Sequence, residues 1–179
     1  MKKLLPATAL IALATTSAFG DQCGARHKIT KEEIVAAQQA WGDGIVNIGK
    51  AQDHKKAAME QIDELYAYDL GPVLFEPTKV SQMQFRDDKA AALSYFVGGK
   101  EPEDKGFALA PFTKVRFENH CVTIDCDSAP AQGNYYFTKP GVQEIKVEYS
   151  FGYVEDALGH LKINLHHSSL PYKPEVMAG

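Results

Sequence analysis

The chain changes its hydrophobic period near Lys105, and that change limits what it can fold into. Before that point apolar residues recur every three or four positions; after it they tend to alternate. Thr30, with Glu33 three residues on, forms a capping box. Ile34, Ala37, Trp41, Ile45 and Ile48 follow at helical spacing, with Gly42 and Gly44 weakening the middle. The stretch 51–66 repeats the pattern, with Ala58, Ile62 and Leu65 on one stripe. The two stretches read either as two helices or as one long helix kinked near Gly49. Gly71-Pro72 punctuates, Val73-Leu74-Phe75 reads as a short strand, and a third helix is predicted from Asp87-Asp88 to a glycine stop at Gly98-Gly99. Beyond Lys105 strands are predicted over 112–119, 122–124, 133–138, 142–154 and 161–169, with turns at Pro140-Gly141 and Leu158-Gly159. Helices first and a meander of strands afterwards predict an α+β fold, with the N-terminal helices packed on one side of a curved antiparallel sheet.

The first twenty residues stand apart from this pattern. Met1-Lys2-Lys3 is a short basic start, an apolar run follows, and Ala18-Phe19-Gly20 offers small residues at a cleavage site. A signal peptide over 1–20 and a single domain over 21–179 are therefore expected, with a soluble product in the periplasm. Removing Lys2 and Lys3 takes the net charge from −4 to −6. An acidic chain without a basic run is a poor nucleic-acid binder. No later segment is apolar enough to span a membrane, so neither nucleic acid nor membrane is an expected partner. Of the three cysteines, Cys121 and Cys126 are close enough to be joined across a turn, and at least one of the three has no partner within the chain.

The segment Leu165-His166-His167-Ser168-Ser169 holds the densest chemistry. Strand side chains alternate between faces. Phased from Leu161, Ile163 and Leu165, the inner face ends in His167 and Ser169, and the outer face carries His166 and Ser168. Adjacent strand histidines diverge, which weighs against a shared metal ion. No nucleophile elbow surrounds either serine, which weighs against a Ser–His hydrolase. The remaining alternative is a polar cluster that closes the strand before Pro171.

This segment, with Asp69-Leu-Gly-Pro-Val-Leu-Phe-Glu-Pro-Thr78, Ser94-Tyr-Phe-Val-Gly-Gly99 and Gly133-Asn-Tyr-Tyr-Phe-Thr138, resembles the iota-class carbonic anhydrases over roughly Thr30 to Pro174. The resemblance implies a cone-shaped NTF2-like fold, similar to the calcium/calmodulin-dependent kinase II association domain. It also implies hydration of carbon dioxide to bicarbonate by a lyase that needs no cofactor, although some members are thought to use zinc or manganese. Carried over residue by residue, it implies catalytic roles for Thr78, Tyr95, and a histidine and serine placed by the facing argument at His167 and Ser169. A one-residue register error would make these His166 and Ser168. Glu76 stands where a lysine is common in the family, a departure that changes charge near the cavity mouth. A homodimer through the sheet is expected.

The chemistry of that reaction fits these residue types. Water must attack an apolar molecule and become an anion. Without a metal, a histidine of near-neutral pKa is the natural base. Neutral hydroxyls can bond the developing oxyanion. Ile163, Leu165 and Phe96 are expected to form the apolar apex. Tyr135, Tyr136, Tyr149 and Tyr153 read as packing residues and Trp41 as core. The alternatives are another enzyme on the same fold, for which no inward aspartate is visible, and a non-catalytic small-anion-binding or oligomeric hub module.

Overall fold

Residues 28–174 are described here from a computed structural model of the chain; the expected signal peptide lies outside them. Helix α1 (Lys31–Lys50) starts as the sequence dictates. The Thr30 side chain accepts from the Glu33 backbone, and the Glu33 carboxylate accepts from the Thr30 N–H at 2.7 Å. The helix runs unbroken through Gly42, Gly44 and Gly49, and the break falls just after Lys50. Asp53 then caps α2 (His54–Leu65). A short strand, β1 (Leu74–Glu76), follows. Helix α3 (Lys89–Val97) is capped by Asp88 and ends at Gly98, whose φ of 81° suits glycine.

Four long strands complete the chain: β2 (Lys114–Val122), β3 (Ser128–Thr138), β4 (Ile145–Glu155) and β5 (Leu161–Ser169). The sheet order is β1-β5-β4-β3-β2. Strand β1 runs parallel to β5, and all other pairs are antiparallel. The segments expected at 112–119 and 122–124 are one strand, and β3 begins five residues earlier than expected. The turn between them closes with paired backbone bonds between Asp125 and Ser128. Cys126 in that turn is disulfide-bonded, and Cys121 is free and exposed. The two are therefore not joined to each other.

The helices cover one face of the curved, unclosed sheet. Ile34, Trp41, Ile45 and Ile48 of α1 and Ala58 and Ile62 of α2 bury against Tyr135, Phe137, Phe151 and Tyr153. Two bulges bend the sheet, since an extra residue on one strand increases local twist. On β2 the extra residue is His120, between Asn119 and Cys121. On β5 it is Asn164: Leu165 pairs with Gly152, while Ile163 already pairs with the next residue, Tyr153. A Cβ on Gly152 would lie 2.6 Å from the Asn164 side-chain oxygen and 3.0 Å from the Leu165 Cβ, so glycine makes room for the bulge.

This bulge corrects the facing of the polar segment. The alternation holds through Leu161 and Ile163, then slips by one. His166 is 2 % and Ser168 5 % exposed, packed towards the helices. His167 and Ser169, expected inside, lie on the opposite face. The His167 side chain is 46 % exposed, and the Ser169 hydroxyl donates to Glu148 at 3.1 Å.

Candidate active site

Between the helices and the sheet lies a cavity of about 40 Å³, lined by residues from seven segments of the chain. A water needs ~10–15 Å³ of such space. The cavity therefore holds about three waters or one molecule of three or four heavy atoms. Phe107, Phe112, Phe137, Ile145 and Val147 supply apolar wall. Thr78, Tyr95, Tyr135, His166 and Ser168 supply polar atoms. The expected apex is corrected here: Ile163 and Phe96 are buried in the core and Leu165 points to the other face, so none of the three lines the cavity.

Each polar group is set in place by packing. Ser168 reaches the cavity because β5 slips at Asn164. Thr78, two residues past β1, donates to the Ser168 hydroxyl at 2.8 Å. The Tyr135 hydroxyl lies near Ser168, close enough for the serine to offset part of the effect of burial on it. Three hydroxyls thus gather along the cavity wall, and those of Thr78 and Ser168 form a hydrogen-bonded chain. Tyr95 projects from α3, with its hydroxyl near the Lys79 backbone. Burial pushes the pKa of both Tyr95 and Tyr135 well up, so each stays protonated as a neutral donor.

His166 is enclosed by rings. Phe75 stacks on it at 4.5 Å and 15°, Phe151 lies 4.2 Å away, and Trp41 meets it edge-on at 5.3 Å. Its Nδ1 is 2.8 Å from the Tyr66 hydroxyl, which also accepts from the Trp41 indole at 2.9 Å. Its Nε2 is buried without a protein partner. Burial, with a smaller contribution from the charge of neighbouring His167, pushes the His166 pKa well below its ordinary value. The ring is therefore neutral at pH 7, unlike the near-neutral base expected at this position. The only formal charges on the lining are Lys79 and Lys139, the latter 4.9 Å from the Phe112 ring centre. Two cations favour an anion in the cavity.

Of the four site residues expected from sequence, Thr78 and Tyr95 line the cavity, and His167 and Ser169 do not. Glu76 also faces away, with a carboxylate oxygen 3.7 Å from the His167 Nε2. Tyr135, read as packing, lines the cavity beside the hydroxyl chain, and Trp41 and Tyr66 belong to the histidine's support. Tyr135 shares a sheet face with Phe137, which was the one sequence signal that it points inward. Among the described residues no three His, Cys, Asp or Glu side chains gather into a group able to hold a metal ion, and no helix is long and apolar enough to cross a membrane.

The sequence pattern of the metal-independent carbonic anhydrases matches residues 32–170. A metal-independent carbonic anhydrase from Nostoc sp. (strain PCC 7120) is 38 % identical, over 95 % of this chain and 92 % of that protein. The crystal structure of a cyanobacterial iota-carbonic anhydrase complexed with bicarbonate is 40 % identical, with a TM-score of 0.79 over 83 % of this chain and 96 % of the other. An NTF2-like superfamily protein from Salmonella enterica shares the fold at 16 % identity, with a TM-score of 0.55 over 83 % of this chain and 95 % of that one. The fold is thus the NTF2-like α+β cone expected.

Proposed function

The chain belongs to the metal-independent carbonic anhydrase family, and on that premise we propose that it interconverts carbon dioxide and bicarbonate in the Thr78–Tyr95–Tyr135–His166–Ser168 cavity. The observation that carries this reading is a small cavity where the neutral donors and acceptors of Thr78, Tyr95, Tyr135, His166 and Ser168 meet an aromatic and aliphatic wall, with two lysines on its lining. The wall suits apolar carbon dioxide. The hydroxyls and the imidazole suit the oxygens of the product.

Thr78 already donates its proton to Ser168, which leaves its oxygen free to accept from a water. As that water's oxygen bonds to carbon, one of its protons passes to Thr78. Thr78 hands its own to Ser168, and Ser168 delivers a proton to an oxygen of carbon dioxide. The immediate product is carbonic acid, which loses one proton to become bicarbonate. Carbon dioxide and water are consumed, bicarbonate and one proton appear, and no side chain ends charged. Lys79 and Lys139 favour the anion at the cavity mouth.

Carbon dioxide hydration by the chelator-treated protein, with metal content measured in the same sample, tests this reading. Activity that is kept without metal, falls at least about a hundredfold in Ser168→Ala and persists in Ser169→Ala is expected, by the scale of losing one oxyanion donor. Inactivity with intact bicarbonate binding would favour the anion-binding module instead. The export signal read at the N-terminus supports a periplasmic site of action. The sheet face that carries His167 and Ser169, turned away from the helices, is where two copies would pair; sedimentation of the wild type beside a His167→Glu variant tests that pairing.

A further inference from the structure

Trp41, Tyr66 and His166 form a hydrogen-bonded line from the core to the cavity, and its donors and acceptors can be counted. An indole N–H only donates; a phenol has one proton to give. Trp41 Nε1 donates to the Tyr66 hydroxyl at 2.9 Å. The only other hydrogen bond shown at that hydroxyl is to His166 Nδ1, at 2.8 Å. If the Tyr66 proton went elsewhere it would be a buried donor without an acceptor, costing ~1–3 kcal/mol. It therefore goes to Nδ1, which must be bare to receive it. A neutral imidazole carries its single proton on the other nitrogen, and that Nε2 is the atom left without a protein partner on a ring that lines the cavity.

We infer that Trp41 and Tyr66 are positioning residues that lock His166 in its Nε2–H tautomer, making it a neutral hydrogen-bond donor to the oxygens of the bicarbonate. The role in the reaction rests on the hydration reading above; the tautomer does not. The rings of Phe75 and Phe151 fix the plane of the imidazole, so the donor direction is preset before substrate arrives. The depressed basicity of His166 works the same way, since the ring does not take a second proton at neutral pH. A donor aimed at charge that appears only as water attacks lowers the barrier more than it tightens substrate binding. The proton of the attacking water is relayed to carbon dioxide by Thr78 and Ser168, and His166 neither gains nor loses one.

Nitrogen-15 NMR of the full-length, uniformly labelled protein at pH 7 tests the lock, because long-range nitrogen–proton correlations identify the protonated ring nitrogen. The wild type is expected to show Nε2–H alone. Tyr66→Phe keeps the ring and removes the donor to Nδ1. It is expected to mix the two tautomers and to lower kcat/KM at least about tenfold, the scale of ~1.4 kcal/mol. A wild-type ring protonated on Nδ1, or charged, overturns the inference, and needs no variant to fold. A folded Tyr66→Phe variant that keeps the Nε2–H tautomer, or keeps full activity, removes the positioning role. An inactive wild type with an Nε2–H ring would sink the hydration reading and leave the lock standing. An active wild type with an Nδ1–H ring would do the reverse.

Discussion

Removing the Asp104 carboxylate should unfold the segment that carries Thr78 before it affects anything else. Arg86 is fully buried, and its guanidinium meets Asp104 at 2.9 Å, with both side chains closed to water. Arg86 also anchors the 77–88 loop: its N–H donates to Phe75 at 2.8 Å, its carbonyl accepts from Tyr68 at 2.6 Å, and its side chain reaches the Met83 carbonyl. Breaking a buried ion pair from one side typically costs ~3–5 kcal/mol, because a charge is left uncompensated. Glu103 lies 4.0 Å from the same guanidinium and keeps part of the attraction. For Asp104→Ala the loss is therefore expected at the low end, about 3 kcal/mol. For a domain of this size that is a fall of about 6–12 °C in Tm. Urea unfolding at pH 7 gives the free energy directly, and an unchanged slope would show that the unfolded state is not the cause. An Arg86→Met, Asp104→Leu double variant should recover most of the loss, since well-packed apolar replacements of a buried pair are often neutral. A loss below ~1 kcal/mol in Asp104→Ala, or a double variant worse than the single, would refute the reasoning.

Thr78→Val keeps shape and removes the first hydroxyl of the chain; carbon dioxide hydration should fall about ten- to a hundredfold, read as kcat/KM at constant Tm. Because burial lowers the pKa of His166 in the folded state, the unfolded chain binds more protons below its ordinary value of ~6.5. Stability tied to this residue is thus complete above that pH and lost as pH falls below it. Urea titrations at pH 7 and pH 5 should show a loss that shrinks in His166→Phe by at most ~1.4 kcal/mol per pH unit. The same groups predict a hydration rate without a step near pH 7 that belongs to a cavity side chain, and a stopped-flow pH profile that shows such a step would argue for a base. Fractionation of cells that express the full chain should recover the protein with periplasmic markers; recovery in the cytoplasm would overturn that proposal.

The helical half was legible because its rules are local. Thr30 and Glu33 cap α1 within three residues of each other, Asp88 and Gly98 bound α3 within ten, and both follow from side chains that satisfy nearby backbone groups. Thr78 and Tyr95 were found through the family resemblance, since one lies in a loop and the other near a helix end with no local mark of function. The facing of His166 and Ser168 was hidden for a different reason. Leu161, Ile163 and Leu165 alternate without a flaw, and the residue that breaks the phase is a single asparagine between two apolar ones. The only sign of it is Gly152, which pairs with the next residue of β5 but lies thirteen residues back in the sequence. Tyr66 and Trp41 escaped notice because their role exists only where α1, the end of α2 and β5 meet.

The bulge has one more consequence, seen in the doubled letters of the motif. Were β5 to slide by one residue against β4, a histidine followed two places later by a serine would still enter the cavity. The reaction's needs at this strand are thus met twice over and do not choose between the two alignments. What chooses is the fit of Asn164 against a glycine, neither of which lines the cavity. The working pair is selected by a joint in the scaffold, and its twin is left to face outward as a spare copy of the same chemistry.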